Sequence, residues 1–188
     1  MTATTSFPHL ADALPASPAA RLGTPAARPA PRATQRRRRL RVARTLAVVS
    51  VRKALLPRGA IRARQRLRVC GAADILTALD VRVEVIGSAV PWPRLGRVVV
   101  SDHTGWLGDL SLSTAAPGTP VLSGDSAGTL PVGSVACPVV LRYRTAAGYL
   151  APSEIPRTLA ETAAARDLVV EVHRLPARST APGPASAA

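Results

Sequence analysis

The sequence is poor in aromatic residues, cysteine and lysine. Aromatic residues make up 3% of the 188 positions, and the single phenylalanine is Phe7. Because single-stranded nucleic acids are bound by stacking bases on aromatic side chains, we expect no stacking platform and no specific nucleic-acid partner. Two isolated cysteines, Cys70 and Cys137, supply neither a metal site nor a disulfide framework. They are typical of a reducing compartment and are predicted to be small buried side chains.

Long hydrophobic runs are also missing. No apolar stretch reaches the ~18 residues that a membrane-spanning helix needs. The first residues lack the basic and then apolar pattern of a secretory signal. Their arginine-rich, acid-poor composition resembles an organellar transit peptide, but repeated prolines oppose the amphipathic helix that such peptides form. We therefore expect a cytoplasmic protein.

Acidic residues are nearly absent from the first 70 positions. These positions contain 16 of the 25 basic residues and one acid, Asp12, whereas residues 71–188 contain nine basic and ten acidic residues. The formal net charge of +14 therefore belongs to the N-terminal part. A block of like charge such as residues 36–39, four consecutive arginines, is expected to stay solvated. Its natural partners are nucleic-acid phosphates or anionic lipid head groups, unless the arginines reflect only the codon usage of a GC-rich genome.

The pattern divides the chain into four segments. Residues 1–39 are predicted to be a disordered Ala/Pro/Arg-rich arm, residues 40–59 a basic amphipathic segment, residues 60–176 an α/β domain, and residues 177–188 a disordered tail. In the basic segment, arginine stems can cover apolar surface while their head groups reach lipid phosphate. We therefore expect peripheral attachment to the inner, cytoplasmic face of an anionic membrane.

Hydrophobic periodicity predicts the element order α-β-β-α-β-α-β within the domain. The predicted helices cover residues 61–79 and 156–166, and residues 102–114 are predicted to be a turn that leads into a third helix. The predicted strands cover residues 81–86, 97–101, 137–144 and 168–174. The run of three valines at residues 98–100 indicates a strand that is buried on both faces. Residues 115–133 are rich in glycine, proline and serine and are predicted to be irregular. This order is typical of an α/β layer architecture with a partly parallel sheet.

Candidate chemistry is concentrated in residues 98–112, which read V-V-V-S-D-H-T-G-W-L-G-D-L-S-L. A buried strand would deliver His103 to a turn, and Asp109 follows within two helical turns. An imidazole can take a proton from a hydroxyl when a carboxylate fixes its tautomer and stabilises the resulting cation. The free backbone N–H groups at the start of the following helix would favour developing negative charge.

This stretch resembles the lysophospholipid acyltransferase family, which includes the lysophosphatidic acid acyltransferases. Members carry a buried strand, then N-H-x-S-W-x-D, and then an apolar helix. Three flanking stretches resemble the family as well: residues 72–87 with L-D-V-R-V-E-V-I-G, residues 137–143 with C-P-V-V-L-R-Y, and residues 167–176 with D-L-V-V-E-V-H-R-L-P. The resemblance implies a small, partly parallel sheet with flanking helices, a reduced form of the glycerolipid-acyltransferase fold.

The resemblance also implies an activity in phospholipid biosynthesis. An acyl group would pass from acyl-CoA or acyl carrier protein to the hydroxyl of a lysophospholipid or similar acceptor, with no bound cofactor and no metal. By matching position, His103 would be the general base and Asp109 the carboxylate that orients it.

Other side chains are assigned from their position in the predicted elements. Arg142 and Arg144 fall on the same face of their strand and are candidates to bind the phosphate of the substrate. His173 is predicted to be a structural or surface histidine on the last strand. Trp106 is predicted to lie in the core or at a membrane interface.

Two departures from the family pattern favour a second hypothesis. The family has four residues between the histidine and the acid, but five separate His103 from Asp109, and Gly108 occupies the acid's position. One additional helical residue turns a side chain by about 100° and shifts it by ~1.5 Å, unless a π-bulge absorbs it. Asp102, where the family has asparagine, is a possible substitute acid.

The second departure is that the segment between Asp109 and Cys137 is shorter than in the family. The family's arginine block and its F-P-E-G-T block are missing between Asp109 and Cys137. The second hypothesis is therefore a non-catalytic protein that binds membranes or partners through its basic segment. A third is a basic nucleic-acid-binding protein with an unrelated body.

A rival motif lies in the irregular segment. Residues 124–128 read G-D-S-A-G, which matches the G-x-S-x-G nucleophile elbow of serine hydrolases. That elbow needs a strand before it, for which Val121 and Leu122 are candidates, and a helix after it. Pro131 and Gly133 oppose a long helix, so a glycine- and serine-rich loop is the favoured interpretation.

Overall fold

The computed structural model describes residues 29–87, 91–93, 95–101, 105–123 and 134–179. Within these residues the chain forms four helices and seven strands, so the predicted α/β class is confirmed. The elements are α1 (Arg32–Leu55), α2 (Ile61–Leu79), β1 (Arg82–Ile86), β2 (Arg97–Ser101), α3 (Trp106–Ala115), β3 (Val121–Ser123), β4 (Val135–Thr145), β5 (Gly148–Tyr149), α4 (Leu159–Ala164), β6 (Val169–Arg174) and β7 (Arg178–Ser179).

The strands form one mixed sheet in the order β1-β6-β4-β2-β3. β1 runs parallel to β6, and β4, β2 and β3 run parallel to one another, whereas β4 and β6 are antiparallel. The short strands β5 and β7 pair with the two ends of β4. The prediction of a partly parallel sheet is therefore confirmed, with β4 as its central strand.

The core lies between the sheet and the helices. β2 is buried along residues 98–101, as its run of valines predicts. Alternate residues of β4 and β6, among them Val139, Tyr143 and Val170, pack with residues of the helices. α3 packs against β6 and β1, α2 packs on α3, and α1 packs on both α2 and α4. The helices thus follow one another outward from the sheet, with the basic helix α1 outermost.

The start of α1 corrects the predicted boundary at residue 40. α1 begins at Arg32, so residues 32–39 are helical rather than part of a disordered arm, while residues 1–28 lie outside the described residues. The reason is Arg38, which is only 6% exposed. Its guanidinium donates hydrogen bonds to the carbonyl oxygens of Ala165 at 2.6 Å and Ala163 at 3.2 Å, and to Asp80 Oδ2 at 2.8 Å. Arg38 therefore joins α1 to the end of α4 and to Asp80, whereas the other three arginines of the run are exposed.

Local signals set the other helix boundaries. α1 ends where Leu56, directly before Pro57, is extended at ψ 131°, as the residue before a proline prefers. α2 ends at Asp80, whose positive φ of 61° lets its N–H reach the carbonyl oxygens of the last helical turn. α4 begins with a capping box between Thr158 and Glu161.

Three further predictions are corrected by tertiary contacts. β3 lies inside residues 115–133, which were predicted to be irregular, because its backbone pairs with the free edge of β2. β7 falls in the predicted disordered tail, and it pairs with Val135 and Ala136 of β4. Cys137 is buried as predicted, but Cys70 is exposed, because it lies on the outer side of α2 next to α1.

Candidate functional site

The predicted strand before His103 and the predicted helix after it are both present. β2 ends at Ser101 and α3 begins at Trp106, so His103 and Asp102 belong to the short connection between them and lie outside the described residues. Ser101 pairs in register with Ser123 of β3 and Val139 of β4. The connection therefore leaves the carboxyl ends of β2 and β3, beside β4, which continues past this level to Thr145. The carboxyl ends of parallel strands are where α/β sheets bind their ligands. The G-D-S-A-G motif, which follows β3 at the same edge, also lies outside the described residues.

Asp109 lies in the first turn of a regular α-helix. Its N–H donates to the carbonyl oxygen of Gly105 at 2.9 Å, the spacing of an α-helix and not of a π-bulge. Gly108, at the position of the family's acid, is buried, and Asp109 is exposed. Because successive residues of an α-helix are turned by about 100°, Asp109 faces a different surface from the one that Gly108 occupies.

That surface is a cavity of about 400 Å³ between α2, α3 and the connection to β3. Asp109 lines it together with Gln65 and Arg68 of α2 and Thr119 of the connection. Since His103 lies outside the described residues, its pairing with Asp109 stays a prediction.

Two aromatic residues lie near this element. Burial, and secondarily the negative charge of Asp109, raise the pKa of Tyr143 far above its usual value, so its hydroxyl keeps its proton. Trp106 packs against the core, as predicted. Its indole N–H is buried and has no hydrogen-bond partner among the residues that the structure describes.

Arg142 and Arg144 lie on one face of β4, as the period of the strand predicts, on the side away from Tyr143. The guanidinium of Arg144 donates to Glu171 Oε1 at 2.6 Å and to Glu84 Oε2 at 2.9 Å. Arg142 lies over the ring of Tyr149, 5.8 Å from its centroid. Two carboxylates therefore neutralise Arg144, and the binding of a substrate phosphate by this pair stays a prediction.

Glu171 is a central polar residue that the sequence analysis missed. It is 4% exposed, and its carboxylate accepts hydrogen bonds from Arg144, from the Tyr149 hydroxyl at 3.1 Å and from His173 Nε2 at 3.0 Å. Burial would raise the pKa of Glu171, but the hydrogen bonds from His173, Arg144 and Tyr149 outweigh it and hold the pKa below its usual value. The alternation V-V-E-V-H placed Glu171 and His173 on one face, but only the sheet register brings β4 and β5 to them.

The basic segment, residues 40–59, belongs to a helical hairpin in which α1 is followed by α2. The tip of the hairpin, residues 46–62, combines exposed apolar side chains with exposed cations. Leu55 and Ile61 are 78% and 68% exposed, and the neighbouring Arg52, Lys53, Arg58 and Arg62 are exposed as well. Among the described residues, neither helix of the hairpin nor any other is long and apolar enough to cross a membrane.

No protein-family model, curated protein or solved structure matches the chain. Within the described residues, no three histidine, cysteine or acidic side chains lie close enough together to hold a metal ion. Of the four predicted site residues, Arg142 and Arg144 share a strand face, Asp109 lies on α3, and His103 follows β2. The case for a function therefore rests on the residues of this chain.

Proposed function

We propose that the chain is an O-acyltransferase-like protein that acts at an anionic membrane surface. It transfers an acyl group from acyl-CoA or acyl carrier protein to a hydroxyl of a lysophospholipid or a similar acceptor. The observation that carries this proposal is the buried strand β2, which ends level with its parallel neighbour β3 and leads into the connection that contains His103 and then into α3.

In this mechanism His103 takes the proton from the acceptor hydroxyl as its oxygen attacks the thioester carbonyl carbon. The tetrahedral intermediate then collapses, the C–S bond breaks, and the leaving thiolate receives the proton from the imidazolium. α3 begins at Trp106 after Gly105 and has no side-chain cap. Its first backbone N–H groups therefore have no helical acceptor, and they are suited to stabilise the oxyanion of the intermediate.

The test is acyl transfer from a thioester donor to lysophosphatidic acid, followed by mass spectrometry of the product. The parent chain is compared with His103→Ala and Asp109→Asn, and the fold of each is checked by circular dichroism. Loss of a general base is expected to slow the reaction by about 10²–10⁴-fold. A folded His103→Ala variant that is as active as the parent would remove His103 from the mechanism. A folded parent that makes no product would refute the transferase proposal.

A second candidate, a non-catalytic membrane-surface protein, is favoured by the position of Asp109. Asp109 is the only acid of α3 and lies on a regular helix next to the buried Gly108. It is exposed and faces the cavity beside α2. The hairpin tip retains both features of a bilayer-binding surface, exposed leucine and isoleucine side chains and flanking cations. This candidate predicts binding to anionic vesicles without acyl transfer.

Vesicle sedimentation separates membrane binding from nucleic-acid binding. We expect binding to vesicles that contain phosphatidylglycerol, weaker binding to neutral vesicles, and loss of binding in the Leu55→Asp, Ile61→Asp double variant. Leu95→Asp is the matched control, because Leu95 is 87% exposed but lies far along the chain from the hairpin tip. Equal binding by both variants would contradict a role for the tip. Duplex binding that survives near-physiological salt would favour the nucleic-acid hypothesis instead, because purely electrostatic contacts weaken steeply with salt.

A further inference from the structure

The hairpin and α3 enclose a groove of about 500 Å³ that the proposed transfer reaction does not use. We propose that this groove binds one long-chain fatty-acid anion, with the alkyl chain on its apolar floor and the carboxylate at its cationic side. The volume falls within the roughly 300–1,000 Å³ of small-molecule sites. The proposal concerns binding alone and does not depend on acyl transfer.

The floor of the groove is apolar along its length. Val49 of α1, Leu67 and Ile75 of α2 and Leu110 of α3 are half-buried, and they leave part of their apolar surface open in the groove. Ile75 and Leu110 also pack against the core, which fixes their positions. A Cβ at Gly71 would lie only 3.1 Å from Val49 Cγ2, so the glycine allows α1 and α2 to approach closely beside the groove. Each methylene that a ligand buries here contributes about 0.8 kcal/mol of binding free energy, which is about fourfold in affinity.

The polar side of the groove carries charge of one sign. Lys53, Arg64 and Arg68 line it, and none of the described lining residues is acidic. Arg64 donates one hydrogen bond to the carbonyl oxygen of Leu56 at 3.2 Å, and its Nε is buried without a partner among the described residues. Arg68 also lines the neighbouring cavity that contains Asp109, but within the described residues no ion pair joins them.

These features favour a single-chain carboxylate over other occupants. A protein or nucleic-acid partner would need a contact area of several hundred Å², which is more than the nine residues that line this groove provide. A neutral alkyl ligand would leave three cations without a counter-charge. A carboxylate accepts bidentate hydrogen bonds from arginine, which makes the charged end specific as well as attractive.

Titration calorimetry of the full chain with myristate, below its micelle concentration and without detergent or vesicles, tests the proposal. We expect one binding site, an affinity that falls about fourfold for each methylene removed, and about tenfold weaker binding of tetradecanol because it lacks the charge. The Lys53→Gln, Arg68→Gln double variant is expected to bind myristate about tenfold more weakly. The Arg41→Gln, Arg66→Gln variant loses the same charge on the same two helices, outside both the groove and the hairpin tip, and is expected to bind like the parent.

Two further variants test the floor. Leu67→Asp places a negative charge beside the alkyl chain and is expected to abolish binding. Leu40→Asp, at an exposed position outside the groove and the hairpin tip, is expected to leave binding unchanged. No binding by a folded parent, or equal weakening by both double variants, would overturn the proposal. Tighter binding of a 14-carbon lysophosphatidate would overturn the fatty-acid assignment. His103→Ala is expected to keep its affinity for myristate, so failure of the transfer reaction and failure of this site are distinguishable.

Discussion

Replacing Arg38 with alanine should weaken the docking of the basic helix α1 on α4 and on Asp80. The guanidinium of Arg38 makes three hydrogen bonds, to Ala163 O, Ala165 O and Asp80 Oδ2, at 2.6–3.2 Å. A hydrogen bond to a charged group contributes about 1.5–3 kcal/mol when it is buried. The side chain of Asp80 is 67% exposed, so the ion pair itself contributes at most about 1 kcal/mol. The two carbonyl oxygens lie at the carboxyl end of α4 and can partly rehydrate once α1 moves away.

We therefore expect Arg38→Ala to lower the free energy of unfolding by about 2–4 kcal/mol. For a chain of this size, that corresponds to a fall in Tm of roughly 5–15 °C. Urea denaturation followed by circular dichroism measures the loss, and trypsin cleavage within α1 reports whether the helix opens locally.

The neighbouring arginines provide the control. Arg37 and Arg39 belong to the same arginine run, are exposed, and are expected to change stability by no more than about 0.5 kcal/mol when replaced by alanine. If Arg38→Ala unfolds at the same urea concentration as Arg37→Ala and Arg39→Ala, the docking of α1 through Arg38 is refuted.

Two other predictions follow from titratable groups. Because the pKa of Glu171 is lowered in the folded chain, its contribution to stability is present above the unfolded pKa and is lost as pH falls through the folded value. Glu171→Gln is therefore expected to reduce stability at pH 7 and to flatten its acid dependence between about pH 5 and pH 3, as measured by urea midpoints; a parallel shift at every pH would contradict this. Iodoacetamide is expected to label the exposed Cys70 before the buried Cys137. Burial raises the pKa of the Cys137 thiol, and the positive charges of Arg97 and Arg174 offset this only partly. Mass spectrometry of the native chain measures the labelling, and equal labelling of both cysteines would contradict the burial of Cys137.

Much of the fold was predictable because its signals are local. The three valines of β2 predict a buried strand, Pro57 predicts the end of α1, and the alternation of β6 predicts its two faces. These patterns depend on residues that are close together in the sequence, so they need no knowledge of the tertiary structure.

The features that the sequence did not predict depend on long-range contacts. The arginine run is helical because Arg38 finds acceptors 125 and 127 residues further along the chain. The carboxylate of Glu171 accepts hydrogen bonds from residues of three strands, β4, β5 and β6, which only the sheet brings together. For the candidate site, spacing predicted the strand and helix around His103, but only the structure showed that Asp109 is exposed while Gly108 is buried.

Arg38 is synthesised 125 residues before Ala163, which accepts one of its hydrogen bonds. At a translation rate of roughly 5–20 residues per second, Ala163 is added to the chain about 6–25 s after Arg38. During that interval α2 can already pack on α1, but the guanidinium of Arg38 lacks its two carbonyl acceptors at the end of α4. The order of synthesis thus makes the docking of α1 on α4 a late step of folding.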